Sequence, residues 1–175
     1  MELAHRIGTP IGEIAIESHN GALARLHLPG YLPETLVYSE ADTALSREVS
    51  DQLNEYFAGT RRVFDLPLHL DATPFLLAAW AKISEIGFGR LCSYGDVANR
   101  LASPGAARAV GLACRNNPIP LIIPCHRVVA ANGALTGFFG GGLSLKQWLI
   151  AWEANLLHDE AEPGVGRALP WFGQP

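Results

Sequence analysis

The repeat of apolar residues changes once along this chain, at Asp71-Ala72-Thr73-Pro74, and that change limits what the chain can fold into. Ahead of it the pattern alternates. From Thr9 to Leu28, the residues Ile14, Ile16, Leu23, Leu26 and Leu28 recur around His19-Asn20-Gly21, which predicts a β-hairpin. Leu45, Val49, Leu53 and Phe57 then fall at helical spacing from about Asp42 and end before Gly59, an amphipathic helix to pack on that sheet. Phe64 to Leu70 reads as a further strand. Beyond Asp71 the chain reads as short helices: Pro74 to about Ile86, Tyr94 to Leu101, Pro104 to about Arg115, and Ser144 to about Leu156. Asp71 to Pro74 supplies an N-cap and a proline suited to a first turn, Ser93 and Ser103 stand at N-cap positions, and Asn116-Asn117-Pro118 stops the third helix. The expected organisation is an α/β domain over 1–70, a mainly α-helical domain over 71–158 and a tail over 159–175. At 175 residues, one large domain or two small ones could bury an adequate core.

No apolar run approaches the roughly 20 residues of a membrane-spanning helix, and Met1 to Pro10 lacks the layout of a signal peptide. A cytoplasmic location, or a nuclear one in a eukaryote, is expected. Cys92, Cys114 and Cys125 form no Cys-x-x-Cys pair, and His5, His19, His27 and His69 lack ligand spacing, so neither a disulfide framework nor a metal is expected. The net charge of -4 conceals an asymmetry: residues 1–70 carry five bases and ten acids, whereas residues 82–146 carry seven bases and two acids. The second half could face a phosphate backbone, although a solvated surface of this charge is equally ordinary.

The helices ending at Leu101 and starting at Pro104 have the layout of a helix-turn-helix. The second is nearly bald, with Ala106, Ala107, Ala109, Gly111 and Ala113, and it projects Arg108 and Arg115. Such a surface suits close approach to a partner; it suits tight internal packing as well.

Cys125 lies in Pro124-Cys125-His126-Arg127-Val128, after the strand-like Leu121-Ile122-Ile123. A thiol becomes a good nucleophile only as thiolate, and lowering its pKa by about two units takes roughly 2.7 kcal/mol from an imidazole, a donor or a helix N-terminus. Neighbouring side chains on an extended segment point to opposite faces, so contact between Cys125 and His126 needs a local turn or a bridging water. A buried structural thiol is the competing reading.

The run LIIPCHRVV over 121–129, SPGAARAVGLACRNN over 103–117 and Ser93-Tyr94-Gly95 resemble the O6-alkylguanine-DNA alkyltransferase family. The similarity is continuous from about Thr73 to Glu153 and closes on Lys146-Gln147-Trp148-Leu149; ahead of it, Glu55-Tyr56-Phe57-Ala58-Gly59 also matches. The resemblance implies a ribonuclease H-like β-sheet with helix, followed by a winged helix-turn-helix-like DNA-binding motif. It implies direct, stoichiometric transfer of an alkyl group from O6-alkylguanine, and from O4-alkylthymine, in duplex DNA to Cys125, with base flipping and self-inactivation. His126 would link through water to the thiol and to Glu153, Tyr94 would restore the proton of the leaving guanine, and Asn117 would brace the hinge. Arg108 would fill the gap left by the flipped nucleotide. Ala106, Ala107, Gly111, Cys114, Arg115 and Ser93 would face DNA in the minor groove with little sequence preference, and Val128, Val129, Phe138 and Phe139 would wall the pocket. No cofactor, no membrane and a monomer are implied.

At Gly137-Phe138-Phe139-Gly140-Gly141-Gly142 the chain departs from the family pattern by one added residue, and Phe138 stands where a tyrosine is usual. A phenyl face can still stack on a base, but the hydroxyl's hydrogen bond is lost. No additional amino-terminal module is expected before the hairpin. Two other functions are carried forward: a relative that binds the lesion without accepting its alkyl group, and a Cys/His thiol hydrolase. Cys92 is expected to be an interior filler.

Overall fold

A computed structural model describes residues 4–39, 42–136, 138 and 141–161. Three antiparallel strands open the fold: β1 (Ala4–Thr9), β2 (Gly12–His19) and β3 (Ala22–His27). The expected hairpin is β2–β3, turning at Asn20 (φ 50°) and Gly21 (φ 78°), as a type I′ turn requires. β1 was not expected. Its own apolar signal is slight, and pairing holds it, with Ile7 opposite Ile14 and the backbones of Val37 and Ser39 bonded to Ala4.

The stretch from Phe64 to Leu70 is not a strand. It joins β3 through a single bridge, in which Leu23 N–H donates to Pro67 O (2.8 Å) and His69 N–H to Leu23 O (2.9 Å). Pro67 has no N–H with which to extend the ladder. Helix α1 (Ala44–Phe57) is capped by Thr43 and Ser46 in a reciprocal box, buries Val49, Leu53 and Tyr56, packs against β1, and is followed by Gly59 at φ 78°.

Thr73 caps α2 (Pro74–Ser84), with Pro74 in its first turn. The short strand β4 (Cys92–Ser93) leads into α3 (Tyr94–Arg100), where Ser93 caps and Asp96 reciprocates. α4 covers Ala107–Arg115 and begins later than expected, because Ser103 is spent on the end of α3. Ser103 N–H donates to Ala98 O (3.0 Å) and Ala102 N–H to Asn99 O (2.9 Å), a Schellman closure with Ala102 at φ 54°. Six residues therefore join the two helices, 101–106, and Ala106 takes the cap position without a side-chain bond. An alanine in the left-handed region is strained, and Ala102 is exposed. Ala102→Gly is expected to stabilise the protein by about 0.5–1 kcal/mol, read as a melting temperature higher by about 2 °C.

A 3₁₀ turn (Cys125–Arg127) passes into β5 (Val128–Val129), which pairs in parallel with β4. The last helix, α5 (Gly142–Ala161), extends past both expected ends. One buried cluster runs unbroken from Ile14, Leu53 and Tyr56 to Trp152, Val110 and Cys125. At its centre Tyr56 packs on Trp152 (ring centroids 5.0 Å) and Trp152 stacks on Trp148 (5.8 Å). α5 also carries two charged residues into that core: Lys146 and Glu153, two helical turns apart and both buried.

Candidate active site

The chain leaves α4 through Asn116 into a loop bent by Pro118 and Pro120, with the buried Leu121 held at φ 73°. A β-carbon residue in that region costs about 1–2 kcal/mol, so other contacts must fix the bend. Asn117 supplies them. Its Oδ1 accepts from Ile119 N–H (3.0 Å), and its Nδ2 donates to Ile123 O (2.7 Å) and to Cys125 Sγ (3.0 Å). Leu26 N–H of β3 donates to Pro118 O (2.9 Å), tying the first sheet to the same loop.

Cys125 begins the 3₁₀ turn, so the local turn that contact with His126 needs is present. Both residues are buried. Burial pushes the Cys125 thiol up, opposed by the Asn117 hydrogen bond and the Lys146 charge. Burial likewise pushes His126 down, opposed by its bond to Glu153. Both shifts favour the uncharged forms, a thiol beside a neutral imidazole. Taking two groups out of water disfavours their charged forms more than the neighbours restore them.

Glu153 is the hub of the site. Its carboxylate accepts from Tyr56 Oη (2.7 Å), Gly89 N–H (2.8 Å), His126 Nε2 (2.9 Å) and Arg127, whose Nη2 and Nε lie 2.9 and 3.0 Å away. Burial alone would raise this carboxyl, but the hydrogen bonds and charges of His126 and Arg127 hold it well below the usual carboxylate range. Arg127 also donates to Ile86 O (2.6 Å), while His126 Nδ1 has no hydrogen-bond partner among the described residues. Gly89 sits at φ 68° with Leu157 pressed against it, which lets its N–H approach Glu153.

A cavity of about 610 Å³ opens along α4, lined by Tyr94, Ala107, Arg108, Gly111, Arg115, Ala130, Thr136 and Phe138. Ala107, Gly111 and Arg115 share one face of α4, so the bald face borders the cavity, and Trp80 Nε1 anchors the helix by donating to Ala113 O (2.8 Å). Phe138 meets His126 edge-on, with centroids 6.4 Å apart, so the cavity wall touches the turn that carries Cys125. Thr136 Oγ1 donates to Tyr94 Oη (2.9 Å). Buried Lys146 holds the wall from behind, donating to Val128 O (2.6 Å) and Thr136 O (3.1 Å).

Several expected site residues lie elsewhere. Cys114 is on α4 but faces inward, where burial, with Cys125 adding, pushes its thiol up to about 12, and it does not border the open face. Ala106 packs against the core at the start of α4, and Ser93 spends its hydroxyl on Asp96 (2.6 Å). Val128 and Val129 are buried in β5 and do not line the cavity; Ala130, Thr136 and Phe138 do. Phe139 lies outside the described residues. Cys92 fills the interior, as expected.

Around the site, the buried Tyr56, Arg127 and Lys146 had no role assigned from sequence. Arg127 was detectable as a charge within a mostly apolar run, whereas Tyr56 and Lys146 carry no such local signal. Among the described residues no three potential metal ligands cluster, and no helix is long and apolar enough to cross a membrane.

A family model described as the DNA binding domain of 6-O-methylguanine DNA methyltransferase matches residues 74–155. The methylated-DNA–protein-cysteine methyltransferase of Mycobacterium tuberculosis H37Rv is 42% identical over 151 residues, which is 85% of this chain and 90% of that one. The chain belongs to the methylated-DNA–protein-cysteine methyltransferase family. The constitutive enzyme of that name from Bacillus subtilis is 40% identical over 147 residues, covering 81% of this chain and 89% of that protein. In structure, this family member superposes on Mycobacterium tuberculosis OGT, solved in complex with DNA, with a TM-score of 0.79 and 38% identity, covering 87% of this chain and 93% of that one. Tyr94, Asn117, Cys125, His126 and Glu153 all fall inside the family-matched segment, whereas Tyr56 reaches Glu153 from outside it.

Proposed function

We propose that this chain repairs O6-alkylguanine, and O4-alkylthymine, in duplex DNA by moving the alkyl group onto Cys125, once per molecule. One observation carries the reading: Cys125 Sγ has a dedicated amide donor in Asn117, and its turn carries His126, which pairs with Glu153 of α5 and meets Phe138 of the cavity bordered by the bald face of α4. The buried neutral His126 takes the thiol proton, through a water at its unpartnered Nδ1, as the alkyl carbon arrives. Glu153 then stabilises the imidazolium, and Asn117 and Lys146 stabilise the sulfur anion as it attacks. The C–S bond forms as the C–O6 bond breaks, and Tyr94 returns a proton to guanine. The thioether offers water no good leaving group, so the protein is spent.

A stacked base cannot reach a buried thiol, so the nucleotide is flipped into the cavity while α4 lies in the minor groove. Arg108 takes the base's place and Arg115 meets phosphate, which makes binding salt-sensitive and weak in sequence preference. In this reading the first sheet and α1 form a ribonuclease H-like unit over 1–70, and α3 and α4 a winged helix-turn-helix-like motif within 71–158. The protein works as a monomer without a cofactor, in the cytoplasm, where its three free thiols stay reduced. A lesion-binding relative that accepts no alkyl group is not favoured, because Cys125 is present and set up for attack.

Arg108→Ala tests the flipping role. It is expected to slow transfer from duplex DNA by about 10–100-fold while leaving transfer from the free base O6-benzylguanine within about twofold, since only a duplex imposes the cost of unstacking, a few kcal/mol. Equal slowing on both substrates in single-turnover assays would place Arg108 in the chemistry instead.

A further inference from the structure

We propose that Thr136 is the positioning residue for Tyr94, holding the phenol at the cavity and receiving the charge left there when its proton goes to the departing guanine. The inference rests on the reading of Tyr94 as the proton donor. Thr136 Oγ1 donates to Tyr94 Oη at 2.9 Å, and both residues line the cavity beside α4. The threonine is itself fixed. Its carbonyl accepts from Lys146 Nζ at 3.1 Å, the same ammonium donates to Val128 O at 2.6 Å, and Nζ stands 6.0 Å from the centroid of the Tyr94 ring. A loop residue thus takes a set position from a buried charge on α5, and passes that position to the phenol.

Transfer makes the arrangement useful. When the C–O6 bond breaks, its electron pair stays on guanine. The Tyr94 O–H proton moves to that guanine anion and leaves a phenolate, to which the Thr136 hydroxyl donates; the phenolate regains a proton from solvent after the DNA departs. Burial raises the Tyr94 phenol, and the Thr136 hydrogen bond is the influence that lowers it, in the direction that eases proton loss. A donor to a charged acceptor contributes more than one between neutral groups, so the bond strengthens as the proton leaves.

Thr136 is exposed, so Thr136→Val, which keeps the shape and removes the hydroxyl, should fold normally, with thermal melting as the check. Single-turnover transfer from O6-methylguanine duplex is expected to slow about tenfold in Thr136→Val and to recover in Thr136→Ser, and the Tyr94 phenol should titrate higher in Thr136→Val by ultraviolet difference spectroscopy. In a Tyr94→Phe background, Thr136→Val should cost nothing further. Equal slowing with and without the Tyr94 hydroxyl would overturn the proposal, as would a Thr136→Val rate equal to wild type while Tyr94→Phe is slow. A Tyr94→Phe protein as fast as wild type would instead overturn the reading of Tyr94 on which the proposal stands.

Discussion

Glu153→Gln is expected to lower folding stability by about 3–5 kcal/mol and to reduce transfer to a small residue of the wild-type rate. The substitution keeps the shape of the side chain but removes its charge, leaving the buried Arg127 guanidinium without its counter-ion. An amide also turns an N–H₂ toward a site built entirely of donors: Tyr56 Oη, Gly89 N–H, His126 Nε2 and the Arg127 fork. Urea denaturation gives the stability change. Pairing it with Arg127→Met should restore part of that stability, because the stranded charge is gone, without restoring transfer, because His126 still lacks its carboxylate. A single variant within 1 kcal/mol of wild type would mean that the hub carries little of the fold.

The same hub sets an acid limit. The Glu153 carboxyl is depressed in the folded protein, so the stability it gives is present above the unfolded value of about 4.3 and drains as pH falls toward the folded value. His126 is depressed as well; the unfolded chain binds its proton first, so stability begins to fall below about pH 6.5. Cys125 and Tyr56 are raised, and their contribution fades in alkali above their unfolded values, about 8.5 and 10.

Asn117→Ala and Asn117→Asp divide two duties of one side chain. Alanine leaves Ile119 N–H unpaired in a buried loop and takes from Ile123 O one of its two donors, the other being Cys125 N–H, and should cost about 1–3 kcal/mol of stability. Aspartate still accepts from Ile119 N–H but offers no donor to sulfur and sets a negative charge beside it. Transfer should therefore slow about 10–100-fold in both, with aspartate the slower of the two despite being the more stable, as single-turnover rates and denaturation would register. An Asn117→Asp protein transferring at the wild-type rate would remove the amide from the chemistry.

What could be read from the chain depended on how locally each feature is encoded. Asn20-Gly21, Thr73-Pro74 and Ser93 specify their turn and caps locally, and all three were legible; the return bond from Asp96 that completes the Ser93 cap came from the structure. Ser103 looked like a cap of the same kind, but the closure of α3 through Ala102 had already claimed its backbone. β1 has too few apolar residues to announce itself and exists because β2 pairs with it. In the site, Cys125 beside His126 was suggestive from the run itself, while the roles of Asn117 and Glu153 came from resemblance; no spacing rule joins Glu153 to residues that far back in the sequence. Lys146 and Tyr56 show the limit most clearly. On its own helix each looks like an ordinary amphipathic residue, and each is buried by partners far away in the chain: the carbonyls of Val128 and Thr136 for one, the Glu153 carboxylate for the other. Cys114 erred in the opposite direction. It belongs to a DNA-facing helix by sequence, but its register turns it toward the core.

The central claim is that Cys125 takes the alkyl group and keeps it. Intact-protein and peptide mass spectrometry after incubation with a duplex containing O6-methylguanine tests this directly. The account predicts a gain of about 14 Da, confined to the peptide that carries Cys125, reaching one group per protein and then stopping however much substrate remains. Tight lesion binding with no change in mass, repeated turnover, or a methyl group found on Cys92 or Cys114 would contradict it.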